Sequence, residues 1–431
     1  MGKIVFIDLE VNKDGRVVDF GAIDLYKNQI HTKSSKEFHE FVNKYDFVCG
    51  HNIINHDLKY IEVTSKVIDT LYLSPLIFPK KPYHALIKDD KLSKDHLNNP
   101  LNDAITAMNL FFDLVSAFEN LDQRLKIIYY ALLQKNSIFT YFFEYKNYQY
   151  HETAIYDIKS TVDEYFSDKI CSSVQILNIL NENPVELAYA FAIITVIDTS
   201  SITPPWVVKN FPDITYILRI LRGKPCHDCL YCNENLSSVT SLKKFFGYNN
   251  FRKYDGTPLQ EQAVTAAISG ESIMAVFPTG GGKSITFQVP ALLSYNAEKS
   301  LTVVISPLQS LMKDQTDNLE QKHNITTAVS INSSLNPIER KFAIENIYQG
   351  NCSILYISPE SLRSSTIEQL LLGRNIARFV IDEAHCFSAW GQDFRVDYLY
   401  IGEFIKNLQK KKKLYLYHAL RQLLNKKLCR I

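Results

Sequence analysis

Apolar and polar positions along the chain change rhythm twice. Residues 3–10 read Lys-Ile-Val-Phe-Ile-Asp-Leu-Glu, an apolar run that ends in strict alternation. A period of two predicts a strand, with Asp8 and Glu10 on one face. From Asn102 to Phe112 the apolar residues recur at helical spacing, which puts Asp103 at a helix start. Residues 121–235 keep the helical period and are rich in aromatics, as in Ile127–Leu133 and Tyr141–Tyr145. Ser200–Trp206, with two prolines, reads as a turn or linker. Beyond about residue 236 short apolar runs (Ile273–Val276, Leu301–Ile305, Phe379–Ile381) alternate with helical stretches over 260–268, 310–319 and 337–348. That alternation predicts a parallel α/β sheet, whose ligands bind at the carboxyl ends of its strands.

Composition narrows the classes. A chain of 431 residues allows about two to four domains, and 46% hydrophobic with 22% charged residues is ordinary globular usage. The net charge of +1 makes any nucleic-acid-binding surface a local one. The longest helix-like apolar stretch, Ala188–Ile197, is too short to span a bilayer and reads as a core helix. The start of the chain is interrupted by Asp8 and Glu10 and shows no secretion signal. The expectation is a cytoplasmic protein, at the nucleoid if the source is bacterial, with no membrane partner. Its eight cysteines then favour free thiols or a metal over disulfides.

Two stretches carry phosphate chemistry. Phe277-Pro-Thr-Gly-Gly-Gly-Lys-Ser284 lies between the run Ile273–Val276 and a helical stretch. The expected order is a buried strand, a glycine turn and a helix start. Thr279, Gly280, Gly281 and Gly282 would surround an anion with backbone N–H groups, and the helix start adds its positive dipole end. Lys283 would reach the terminal phosphates and Ser284 a magnesium ion. Phe277 stands where the full pattern has its first glycine; a plain glycine turn is the bland alternative. The second stretch, Phe379–His385, is an apolar strand ending in Asp382 and Glu383. Asp382 would bind magnesium and Glu383 would orient or deprotonate the attacking water.

With Ser306-Pro-Leu-Gln-Ser-Leu-Met-Lys-Asp-Gln315, Ser358-Pro-Glu360 and Asp382-Glu-Ala-His-Cys-Phe-Ser-Ala-Trp-Gly-Gln-Asp-Phe-Arg395, these motifs resemble the RecQ family of DNA helicases over about residues 243–413. The resemblance implies ATP and Mg²⁺ as cofactors and DNA, single-stranded or fork-like, as partner. It implies adenine recognition by Gln260, a catalytic place for His385 beside Asp382 and Glu383, and DNA contacts at Ser306, Lys313, Trp390, Phe394 and Arg395. Aromatic rings beside a cation suit stacking on unpaired bases; core packing is the alternative. Extra residues, Lys253–Leu259, separate Gln260 from Arg252.

At the N-terminus, Asp8, Glu10, Asp57 and Asp103 form a second set. Four acids on a strand and two helices can hold two divalent ions that activate water and stabilise the leaving oxygen of a phosphodiester. With Asn52, Val67–Leu73 and Asp103-Ala104, they resemble the DEDD 3′–5′ exonucleases over about 120 residues. The resemblance implies a ribonuclease-H-like fold. The family's base positions hold Asn98 and Asn99 here, and His96 and His84 are the nearby substitutes. The alternative is a scaffold of that fold without activity.

Cys226, Cys229 and Cys232 stand at C-x₂-C-x₂-C spacing, which suits Zn²⁺ ahead of an iron–sulfur site. A fourth ligand is required, from His227 or Cys171; partly buried free thiols are the alternative.

The expected architecture is α/β: an exonuclease-like domain over 1–120, a helical connector with the cysteine cluster over 121–235, and a parallel-sheet RecA-like P-loop lobe over 236–413. Residues 414–431 read as an aberrant tail. Shifting the reading frame after the lysine run 410–413 lets the tail spell Thr-Ala-Thr-Ala, a helicase motif, so a frameshift is expected there. A chain with one lobe should bind ATP and DNA, hydrolyse ATP poorly and not unwind. The rival readings are a stand-alone metal-dependent exonuclease and a non-catalytic DNA-binding adaptor; oligomeric state is open.

Overall fold

The structure is a computed structural model that describes residues 2–81, 84, 86, 99–148, 155–196, 202–226, 228–278, 280–384 and 397–412. His96, His227, Thr279, His385, Trp390, Phe394, Arg395 and the tail 414–431 lie outside the described residues. The chain divides into two compact units. The first comprises Met1–Phe166, Gln175–Thr195 and Trp206–Phe211; the second comprises Ser167–Val174, Val196–Pro205 and Pro212–Ile431.

The first unit is built on a five-stranded sheet: β1 (Ile4–Val11), β2 (Val17–Asp24), β3 (Gln29–Thr32), β4 (Phe47–Gly50) and β5 (Lys66–Asp69). The order is β3-β2-β1-β4-β5, with β1, β2 and β3 antiparallel and β4 and β5 parallel to β1. Alternation along β1 assigns its two faces. Val5, Ile7 and Leu9 join Phe20, Ala22, Phe38 and Val42 in one apolar cluster, beneath the helix Ser35–Val42. Phe6 points the other way and packs on Phe111 and Phe112, with ring centroids 5.5 and 6.2 Å apart. Those rings belong to the helix Pro100–Glu119, which is legible at its start: Pro100 sits in the first turn, and the Asn99 side chain accepts from the N–H of Leu101 and Asn102. The helices Gln123–Leu133 and Pro184–Ile194 extend this unit; the buried Tyr189 hydroxyl donates to the Tyr72 carbonyl at 2.8 Å.

The second unit contains a parallel sheet of β6 (Leu301–Ile305), β7 (Ala328–Ile331), β8 (Ile354–Ile357) and β9 (Ile376–Ile381), in the order β7-β8-β6-β9. β6 is buried throughout. Its Leu301, Val303 and Ile305 meet the helices Pro337–Tyr348, Ser365–Leu372 and Asp397–Lys412. Val304 faces the helix Ile285–Glu298 through the cluster of Val289, Ala291 and Leu292.

One expectation is corrected. Ile273–Val276 is not a buried strand: the run is irregular, with Met274 72% and Val276 78% exposed. A strand exists only within a ladder of hydrogen bonds. Among the described residues β9 is paired on one side only, to β6, and the run 273–276 has not joined it. No described helix is long and apolar enough to cross a membrane.

Candidate functional site

In the second unit the glycine loop is shaped by side chains that precede it. Gly280 and Gly282 have φ of 73° and 74°, the left-handed region that favours glycine. A Cβ on Gly281 would lie 2.7 Å from the Pro278 carbonyl oxygen. Three successive loop carbonyls are held from the segment 252–260. Arg252 donates to the Gly280 oxygen at 2.8 Å, the Tyr254 hydroxyl donates to the Gly281 oxygen, and the Gln260 amide donates to the Gly282 oxygen at 2.9 Å. The other end of the buried Gln260 amide accepts from the Arg252 N–H at 2.9 Å. Gln260 is therefore committed to the loop here. Tyr254 is a residue that motif reading missed; it lies within the extra stretch 253–259, and only tertiary contact reveals its part.

The acids arrive on β9. Asp382 extends that strand by one bond, its N–H donating to the Ile305 carbonyl at 2.9 Å, and the Tyr398 hydroxyl donates to its carbonyl at 3.1 Å. Burial pushes the Asp382 carboxyl up, and the neighbouring Glu383 charge adds to this; Lys283 and the Ser306 hydroxyl act in the opposite direction. Glu383 adopts φ 53°, strained for a residue with a Cβ. It lies 3.6 Å from the Lys283 ammonium. The structure thus brings Lys283, Ser284, Asp382 and Glu383 to one end of the sheet region, with Ser306 at the end of β6, its N–H bonded to Ile357. Lys313 lies on the following helix, Gln309–His323.

These residues fit a magnesium nucleotide. A loop with Gly280 and Gly282 at positive φ and no room for a Cβ on Gly281, a lysine beside it and an acid whose proton affinity is raised by burial and a like charge are features that suit such a ligand. ATP bound there would supply the phosphoanhydride whose cleavage releases energy. Lys283 would hold the phosphates, Ser284 and Asp382 the metal, and Glu383 would take the proton of the attacking water.

In the first unit, Asp8, Glu10 and Asp103 come together, with ligand oxygens all within 4.8 Å of one another. The local geometry explains it. Phe6 meets Phe111, and the helix then carries Asp103 back along β1 toward Asp8 and Glu10. Eight helical residues span about 12 Å, and two to four strand residues span roughly 7–13 Å. Gly21 pairs with Asp8 across the sheet, and a Cβ there would sit 2.2 Å from the Leu101 nitrogen. The missing side chain lets the start of the helix settle on β2.

Asp57 is not a member of that trio. It is buried, accepts from the Leu9 N–H at 3.0 Å, and burial pushes its carboxyl up to about 7. Asp69 is structural: it accepts from Asn52, Ile54 and Leu71 and caps the helix Thr70–Ile77. His84 is buried against Ser74 at 2.7 Å, and burial lowers its ring to about 4, so it is neutral near pH 7.

The cysteine set also closes in space. Cys171, which stands far from the others in sequence, joins Cys226, Cys229 and Cys232, with all sulfurs within 4.8 Å of one another.

Comparison with known proteins agrees with this architecture over part of the chain. Residues 257–419 match the family model described as DEAD/DEAH box helicase. The chain is 39% identical over 168 residues to the probable ATP-dependent DNA helicase RecS of Bacillus subtilis, covering 39% of this chain and 32% of that protein. It is 40% identical over 170 residues to ATP-dependent DNA helicase RecQ of Haemophilus influenzae (39% and 26%), and 40% over 171 residues to ATP-dependent DNA helicase Q5 of Rattus norvegicus (38% and 16%). The matched stretch is thus a third or less of each relative's length. The chain carries a DEAD/DEAH box helicase domain, about 40% identical to RecQ-family helicases over that region.

Proposed function

We propose that the second unit is the first lobe of an ATP-dependent DNA helicase of RecQ type, a 3′ to 5′ class serving DNA repair or recombination, and that by itself it binds ATP and DNA without unwinding. The observation that carries this is the meeting of the glycine loop with the acidic strand end, Lys283 beside Glu383 at 3.6 Å. Trp390, Phe394 and Arg395 are assigned to single-stranded or fork-like DNA and to coupling that contact to ATP hydrolysis, with Ser306 and Lys313 as further DNA contacts and His385 as a catalytic residue beside Asp382 and Glu383. Titration of the 431-residue chain with a fluorescent ATP analogue and Mg²⁺ tests the reading. Lys283→Ala should weaken binding about 10- to 100-fold, since a hydrogen bond to a charged group contributes roughly 1.5–3 kcal/mol. Equal affinity in both proteins would sink it.

A second activity is favoured by the convergence of Asp8, Glu10 and Asp103. The sheet order β3-β2-β1-β4-β5 supports a ribonuclease-H-like reading of the first unit. It is assigned as a metal-dependent 3′–5′ exonuclease, with Asp57 holding the Leu9 end of β1 and reaching the metals indirectly. The general base falls to His96 or His84, the two histidines nearest the family's base positions. A 5′-labelled single strand with Mg²⁺ or Mn²⁺ should be shortened from its 3′ end by the wild-type chain and left intact by Asp8→Ala.

A further inference from the structure

We infer that Cys171, Cys226, Cys229 and Cys232 form a structural four-thiolate Zn²⁺ site that ties residues 167–174 to the base of the motor lobe. Four features support it. First, the sulfurs have the spacing of one ion rather than a cluster. A zinc–sulfur bond of about 2.3 Å in a tetrahedron sets neighbouring sulfurs about 3.8 Å apart. Cys171 and Cys229 lie 3.8 Å apart, and none of the four exceeds 4.8 Å from another. A four-iron cluster holds its thiolates at the outer corners of a cubane, hence farther apart. A disulfide needs a sulfur separation of about 2.0 Å, and all four are free cysteines.

Second, the set is preorganised as a ligand loop. Cys229 caps the helix Leu230–Asn235, its sulfur accepting from the Cys232 N–H at 3.3 Å. Third, the two chain segments are already clamped by backbone bonds. The Cys171 N–H donates to Leu221 at 2.7 Å, and the Arg222 side chain donates to the Lys169 and Ala297 carbonyls at 2.5 and 2.7 Å. The Tyr231 hydroxyl donates back to the Arg222 carbonyl at 3.0 Å. Fourth, the site is continuous with the lobe's interior. Cys171, Cys229 and Cys232 are buried in the same apolar cluster as Leu242, Phe246, Val264, Val289 and Val304. Cys226 is half-buried, which leaves an entry side for the ion.

The ion would act on stability rather than chemistry. Four protein ligands close the coordination shell and leave no position for water or substrate. Metal content of the full 431-residue chain, purified without added metal, is the first measurement. About one zinc per chain is expected, with X-ray absorption showing four sulfurs near 2.3 Å. A shell of three sulfurs and one nitrogen would replace Cys171 by His227 and overturn the assignment. Iron with visible absorption, or no metal with four reduced thiols, would overturn it as well. Cys171→Ser should lose zinc, while Cys352→Ser, a buried cysteine outside the set, should keep it. If Cys171→Ser does not fold, the wild-type absorption shell still decides.

Discussion

The two candidate catalytic regions are built in opposite ways. The carboxylate face of the first unit rests on regular elements: β1 alternation turns Asp8 and Glu10 to one side, and a capped helix delivers Asp103 to them. The nucleotide region of the second unit rests on irregular chain. Its glycine loop is held by Arg252, Tyr254 and Gln260, and the run before it stands outside the sheet. Placement in the first region follows from periods of two and 3.6, which burial enforces. Placement in the second depends on bonds between distant side chains and single carbonyls, which no period encodes.

The largest expected effect separates the two regions outright. Asp8→Ala should reduce nucleolytic turnover by more than about 100-fold, because loss of a metal-positioning group alone costs about 10–100-fold. The same substitution should leave ATP affinity unchanged. Lys283→Ala should do the reverse. Loss of both activities in either variant would mean that the regions are not independent, and the comparison would fail.

Gly21→Ala tests whether register alone builds the carboxylate face. The added carbon would meet the backbone of Pro100 and Leu101, not a side-chain tip that can swing away. The helix start must then lift, taking Asp103 from Asp8 and Glu10. Turnover should fall about 10- to 100-fold, as for loss of a group that orients metal ligands. Stability should fall by about 1–3 kcal/mol, the usual cost of overpacking. Full activity with unchanged urea midpoint would show that Gly21 does not place the helix.

Much of this was legible in residues. Alternation places Asp8 and Glu10 on one face, and apolar recurrence from Asn102 to Phe112 marks the helix that carries Asp103, though its Asn99 cap and Pro100 start lie just ahead of that stretch. The two phosphate motifs name Lys283 and Glu383 separately; their approach to 3.6 Å is seen only in the fold. Three further things were not legible. The failure of Ile273–Val276 to form a strand depends on pairing, which a four-residue apolar run cannot announce. Cys171 stood as one of two candidates for the fourth ligand because only folding brings 171 to 226–232. Asp57 matched a motif by sequence, and the fold sets it outside the Asp8, Glu10 and Asp103 trio, with one carboxylate oxygen accepting from the Leu9 N–H.

That buried carboxylate gives a pH-dependent test. Its folded value of about 7 lies above the ordinary carboxyl value, so the folded state retains the proton over a range where the unfolded chain has lost it. The associated stability is fully present below about pH 4 and is lost as pH rises through 7. Asp57→Asn keeps an acceptor for Leu9 and removes the charge. In EDTA it should therefore exceed the wild type in stability at pH 8, by at most about 4 kcal/mol, with the gap narrowing toward pH 5. Urea melts at the two pH values measure it, and a gap that does not change with pH would rule out Asp57 as its source.

The smallest effect probes the irregular region. Tyr254→Phe removes one hydroxyl from the Gly281 carbonyl and replaces no motif residue. A single neutral hydrogen bond contributes about 0.5–1.5 kcal/mol, so ATP affinity should fall roughly 2- to 10-fold. The loss should be the same for GTP, because the phenol shapes the phosphate cradle and not the base. Gln260 behaves differently if it must release Gly282 and Arg252 to read adenine. Gln260→Ala would then lower ATP affinity more than GTP affinity, and its effect would add to that of Tyr254→Phe. If Gln260 only holds the loop, both nucleotides suffer alike and the double variant loses less than the sum, since residues sharing one network are not additive. The nucleotide pair thus reports whether the second region keeps its shape when loaded or exchanges a loop bond for a base contact.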